Sequence, residues 1–153
     1  MKFLSIILIG VALISYSCNK KVEKDLESDY LTSFLKDTPL RENTEWVVIL
    51  PGLGCHGCIQ EAELFMKNNI GNKNILFILT SVESLKILET KTGVKIKDQT
   101  NVYLDKDNSF NIGTSNAIYP CIVQLDNGNI RAYEFQSPSN GQAFATLQSR
   151  IDE

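Results

Sequence analysis

The sequence predicts an α/β domain, a three-layer α/β/α sandwich built on a central mixed sheet. Three observations predict it. Trp46 to Leu50 (WVVIL) and Ile75 to Leu79 (ILFIL) are continuous apolar runs, as in parallel strands covered on both faces. Segments with apolar residues at helical spacing stand before, between and after them. Near the end, Asp126-Asn127-Gly128 separates two strand-like runs, which signals a hairpin and therefore an antiparallel pair. Parallel strands first and a hairpin last give a mixed sheet with helices packed on it.

The elements follow in order. Lys2 is a short basic start, and Phe3 to Ile14 (FLSIILIGVALI) is an apolar run. A membrane span needs about 20 apolar residues, so this run reads as the core of a signal peptide over residues 1–17. Ser15-Tyr16-Ser17 leads into Cys18. Small residues before a cysteine, directly after such a run, resemble the lipobox of bacterial lipoproteins, although Ser15 stands where that motif has Leu. The resemblance implies that Cys18 carries lipid and becomes the mature N-terminus. Asn19, in place of Asp, resembles the pattern of outer-membrane sorting. The protein is thus expected to be exported and lipid-anchored to the bacterial cell envelope, at the outer membrane facing the periplasm. Residues 18–24 read as the lipidated cysteine and its tether.

The domain is expected over residues 25–153. Leu26, Tyr30, Leu31, Phe34 and Leu35 have helical spacing between Asp25 and Lys36, and Pro39 stops that helix. After the first strand, Ile59, Ala62, Phe65 and Met66 mark a helix over Cys58 to Asn69. After the second, Val82 to Lys91 reads as a helix that Gly93 ends. Val102 to Leu104 is a short third strand and Asp105 to Asn108 a turn. Pro120 to Leu125 and Asn129 to Phe135 flank the hairpin turn. Phe144, Leu147 and Ile151 mark a final helix over Gln142 to Ile151.

The chain has 153 residues, 43% hydrophobic and 22% charged, which fits one globular domain. With 15 Lys+Arg against 18 Asp+Glu the formal charge is −3. Nothing here offers the clustered cations that nucleic acid needs, so no nucleic-acid partner is expected. Four cysteines are too few for a small fold held together by disulfides.

The residues that carry chemistry are Cys55-His56-Gly57-Cys58, just after a buried strand and at the start of a helix. A thiol at a helix N-terminus faces unpaired backbone N–H groups and the positive end of the helix dipole. Both stabilise thiolate, which is the attacking form in disulfide exchange. A second thiol one turn inside the helix is placed to attack the mixed disulfide that results. His56 has two readings. As imidazolium it would stabilise the Cys55 thiolate further; otherwise it is an exposed loop residue.

This strand, CxxC and helix, together with Tyr103-Leu-Asp-Lys-Asp-Asn-Ser-Phe110 and Ala117-Ile-Tyr-Pro-Cys-Ile-Val-Gln-Leu-Asp-Asn-Gly-Asn-Ile130, resemble the thioredoxin-like superfamily. The resemblance covers Trp46 to Glu153 and is strongest to membrane-anchored, exported thiol–disulfide oxidoreductases. It implies Cys55 as nucleophile, Cys58 as resolving thiol and Pro120 as a cis-proline packed against the pair. It also implies that Tyr119 lends its backbone to a substrate peptide. The partners implied are client proteins with disulfides, a thiol-donating redox protein, and the membrane through lipid on Cys18. No cofactor is implied, since the cysteine pair is itself the redox group. Apart from the resemblance, Pro120 reads as an ordinary trans proline opening a strand.

Two departures stand out. Gly54 occupies the place where the family commonly has an aromatic, and Ile49 the place of thioredoxin's buried assisting acid; Glu61 and Glu63 are the acids on the active-site helix. Cys121 reads as a small buried hydrophobe on a strand, or alternatively as a third thiol near the pair. Two further functions remain open: a redox-inert thioredoxin-like binding lipoprotein, and a metal-binding module using Cys55, His56, Cys58 and Cys121. A peroxidase is disfavoured, because no Arg or Thr flanks Cys55.

Overall fold

A computed structural model gives the fold and describes residues 22–153. The signal peptide over 1–17, the lipidated Cys18 and the first part of the tether lie outside the described residues. Helix α1 runs over 22–36. It is followed by β1 (Trp46–Pro51), α2 (His56–Asn69), β2 (Ile75–Thr80), α3 (Leu85–Thr92), β3 (Val102–Asp105), β4 (Cys121–Asp126), β5 (Asn129–Phe135) and α4 (Ala143–Ile151). Single 3₁₀ turns occupy Ile96–Asp98 and Ser115–Ile118.

The five strands form one sheet in the order β3-β2-β1-β4-β5. β1 pairs with β2 in parallel, from Trp46 opposite Ile75 to Pro51 opposite Thr80, and β2 pairs with β3 in parallel. β1 and β4 are antiparallel, with Ile49 opposite Cys121, and β4 and β5 form the antiparallel hairpin. Asn127 and Gly128 turn it with φ of 50° and 78°, the left-handed pair that a two-residue hairpin favours. The mixed sheet and its four helices are consistent with a thioredoxin-like α/β sandwich.

Alternation along the central strands makes the layers. Val48, Leu50, Phe77, Leu79 and Ile122 face Ala62, Phe65 and Met66 of α2 and Phe144 and Leu147 of α4. Val47, Ile49, Ile78, Cys121 and Val123 face Leu31 and Leu35 of α1. Every residue of β1 and β2 is buried, which is why both read as unbroken apolar runs.

Several details differ from expectation. Residues 22–24, assigned by sequence to the tether, are helical; the Lys24 carbonyl accepts a hydrogen bond from the Tyr133 hydroxyl at 2.8 Å, fixing this first turn to β5. Leu26 is 58% exposed and Glu27 is only 4% exposed, so α1 faces the sheet through residues 27, 31 and 35. α3 begins at Leu85 rather than Val82, because the Ser84 hydroxyl accepts from the Ile87 N–H at 3.4 Å and caps the helix. At its other end Gly93 adopts φ 73° and returns its N–H to the Glu89 carbonyl at 2.8 Å, the expected helix stop.

Asp105 ties the end of β3 to the next loop. It is buried and accepts from the Thr80 hydroxyl at 3.0 Å, the Ser109 N–H at 3.0 Å, the Ser109 hydroxyl at 2.8 Å and the Phe110 N–H at 2.9 Å. Burial pushes its carboxyl up, but the Phe110 and Ser109 N–H groups and the two hydroxyls outweigh burial and hold it below its usual value. The unfolded chain therefore protonates first as pH falls. The stabilisation from Asp105 is complete above the ordinary carboxyl range, about pH 4. It disappears as pH drops through the lowered native value. Asp105→Asn turns an amide toward these donors and is expected to cost about 2–3 kcal/mol. Urea unfolding at pH 7 reads that loss, and the gap to wild type should narrow below pH 4.

Candidate active site

The chain leaves the end of β1 at Pro51, crosses Gly52-Leu53-Gly54, and enters α2 at Cys55. Cys55 is the N-cap, with φ −66° and ψ 100°. Its carbonyl accepts the Ile59 N–H at 2.9 Å, the first bond of the helix. Cys55 is half-buried, His56 and Gly57 are exposed, and Cys58 is buried one turn in. Cys55 and Cys58 form a disulfide with their Cα atoms 5.3 Å apart, inside the ordinary range. No acidic residue occupies the first turn of α2. The positive end of the helix dipole therefore faces Cys55 with no carboxylate against it.

The other side of the site is the turn at Ser115–Ile118. The Ile118 carbonyl accepts the Cys55 N–H at 3.0 Å. Gly54 passes this carbonyl with φ 142°, and a Cβ there would run into the Ile118 backbone. That close approach excludes the aromatic residue the family resemblance would place before the first cysteine. An apolar rim remains: Leu53 is 57% and Ile118 is 47% exposed. Between α2 and α3, a hollow of about 120 Å³ is lined by residues including Pro51, Ile59, Val82 and Ile87.

Pro120 lies buried at the start of β4, but among the described residues no peptide bond is cis. The expected cis-proline is corrected to trans. Tyr119 is extended, with φ −108° and ψ 144°, the conformation the following proline ring favours. From there a trans bond carries the chain directly into β4, where the Pro120 carbonyl accepts the Gln136 N–H at 2.9 Å. Tyr119 is half-buried against the α1 side of the sheet. Its N–H is engaged with the Asn116 carbonyl at 3.0 Å.

Cys121 is free and fully buried. Burial pushes its thiol far above the ordinary value, and the Glu27 and Glu134 charges add to this. It sits in the core on the α1 side of the sheet. Ile49 is also fully buried, so the position of the missing assisting acid is filled with hydrocarbon. The two acids on α2 have other partners. Glu63 pairs with Lys91 at 2.8 Å, and Glu61 accepts a hydrogen bond from the Gln136 side chain. Among the described residues no three His, Cys, Asp or Glu side chains converge as a metal site.

Sequence reasoning passed over one residue here, Glu27. It lies four residues before Leu31, on the same helix stripe, but a count of apolar positions skips a carboxylate. Comparison with protein-family models, curated proteins and solved structures finds no match for this chain.

Proposed function

We propose that the chain is an exported, membrane-tethered thiol–disulfide oxidoreductase that uses the Cys55–Cys58 pair to reduce or isomerise disulfides in other proteins. One observation carries the reading: two cysteines at the start of α2, the outer half-buried and the inner buried, closed into a disulfide. In the reduced form the Cys55 thiolate attacks a client disulfide. One client sulfur leaves as thiolate, and a Cys55–client mixed disulfide forms. The Cys58 sulfur then attacks Cys55, releases the second client thiolate and closes the Cys55–Cys58 disulfide. Two electrons pass to the client, and a thiol-donating partner returns two electrons and two protons to the pair. His56, exposed beside Cys55, and the end of α2 favour the thiolate. In this reading Tyr119 and Pro120, which has no backbone N–H, directly follow the turn whose Ile118 carbonyl holds Cys55.

Export and anchoring through Cys18 rest on the sequence of residues 1–18. No helix among the described residues is long and apolar enough to cross a membrane. A second reading, a redox-inert binding lipoprotein, draws support from hydrocarbon at Ile49 and from the occupied Glu61 and Glu63.

One experiment separates the two readings. The full chain is equilibrated in glutathione buffers of graded potential, and free thiols are trapped by mass-tagged alkylation, with Cys58→Ser as the control. A reversible two-electron transition is expected. A midpoint of about −270 mV would mark a reductant, and one of about −120 mV an oxidant. The absence of any reversible transition would sink the oxidoreductase and leave the binding scaffold.

A further inference from the structure

We propose that Glu27 is a positioning residue for the Cys55–Cys58 pair, acting through the turn at Ser115–Ile118; the inference rests on the redox reading above. Glu27 is the buried carboxylate of α1. One of its oxygens, Oε1, accepts from the Thr114 hydroxyl at 2.7 Å and from the Asn116 side-chain amide at 2.8 Å. The other, Oε2, shares the single Tyr133 hydroxyl hydrogen, at 3.3 Å, with the Lys24 carbonyl at 2.8 Å. Glu23, one turn earlier, accepts from the Ser115 hydroxyl at 3.1 Å. The start of the turn is therefore held by α1 through side chains alone.

A buried carboxylate is costly unless it is well hydrogen-bonded, and an apolar residue would pack this face of α1 at least as well. What an apolar residue cannot do is bind three donors from two other segments. The grip extends into the turn. The Thr114 hydroxyl also accepts the Asn116 N–H at 3.3 Å. The Asn116 carbonyl takes the Tyr119 N–H at 3.0 Å. At the far end of the turn the Ile118 carbonyl takes the Cys55 N–H, and Gly54 is pressed against the same backbone. Glu27 thus fixes the turn, and the turn fixes the backbone of the outer cysteine.

The consequence is a redox one. Forming the Cys55–Cys58 bond requires both sulfurs within reach, and holding the Cys55 backbone raises their effective concentration toward each other. Loosening the turn lowers it. The internal disulfide then weakens relative to oxidised glutathione, and the midpoint rises. Electrons balance in the measured exchange: the protein disulfide and two glutathione thiols give the protein dithiol and one glutathione disulfide.

The test compares the full-length wild type with E27L and E27Q in glutathione buffers, alongside melting of each reduced form. Leu fills the space without accepting hydrogen bonds, and Gln keeps an acceptor oxygen for Thr114 and Asn116. The equilibrium constant for oxidising the pair is expected to fall roughly fivefold in E27L, about 20 mV, and to stay within about twofold of wild type in E27Q. A T114V/N116A variant, which removes the donors from the turn itself, should match E27L and serves if E27L does not fold. An unchanged constant in folded E27L or in T114V/N116A overturns the inference alone. So does an E27Q shift as large as that of E27L. A wild type with no reversible transition overturns the redox reading and this inference with it.

Discussion

Replacing Cys55 by Ser is expected to reduce disulfide exchange to the buffer background, whereas replacing Cys58 by Ser is expected to leave the first half of the proposed reaction intact. The asymmetry follows from placement. Cys55 is the half-buried N-cap of α2, and Cys58 is buried one turn in, so an incoming client disulfide meets Cys55 first. In the Cys55→Ser chain the hydroxyl that replaces the outer thiol cannot form the sulfur–sulfur bond. In the Cys58→Ser chain Cys55 still attacks, but nothing resolves the product, and Cys55–client mixed disulfides accumulate. Non-reducing gels followed by mass spectrometry of the trapped bands read this directly. The same pair predicts a stability difference. The disulfide closes a very short loop, so its effect on the unfolded chain is worth about 2 kcal/mol. Cys55→Ser should therefore melt below oxidised wild type and together with reduced wild type. Equal trapping by Cys55→Ser and Cys58→Ser would overturn the assignment of roles.

The sequence showed this much because the residues concerned act locally. β1 and β2 are buried on both faces, so their strand character appears as uninterrupted apolar runs. The CHGC segment starts a helix at the end of such a strand, and the Asp126–Gly128 turn needs residues that tolerate positive φ. The parts that escaped depend on distant groups. Tyr119–Pro120 is trans, and the two isomers of an X–Pro bond lie within about 1 kcal/mol intrinsically, so tertiary surroundings decide between them. The Ser115–Ile118 turn is a single 3₁₀ turn with no periodicity to detect. Glu27 reads as surface charge until Thr114, Asn116 and Tyr133 are brought to it from far along the chain. Leu26 was the converse error: it extended the apolar stripe by one position, yet the helix turns it to solvent and buries its neighbour.

Gly54 carries the largest steric prediction at the site. Its φ of 142° lies where side chains rarely fit, and a Cβ would meet the Ile118 carbonyl oxygen, carbon and Cα together. These are backbone atoms, and the same carbonyl holds the Cys55 N–H. The clash cannot be relieved by rotating a side chain; the turn or the approach to α2 has to move. Backbone strain of this kind and the forced displacement each cost about 1–3 kcal/mol. Gly54→Ala is therefore expected to lose about 3 kcal/mol, or roughly 10 °C in Tm for a chain of this size. Gly57 is the internal control. It lies two residues beyond Cys55, inside α2, and a Cβ there meets nothing. Gly57→Ala should be neutral or stabilising by up to about 1 kcal/mol, because alanine restricts the unfolded chain and favours helix. Thermal melting of the two variants separates the effects. If Gly54→Ala melted with wild type, the Cys55 turn and the Ile118 carbonyl could not be in the contact described. Glu27 would then have no path to the redox pair. A loss at Gly54 with none at Gly57 ties the absence of an aromatic before Cys55 to the same contact: the turn after Thr114 occupies the space a side chain there would need.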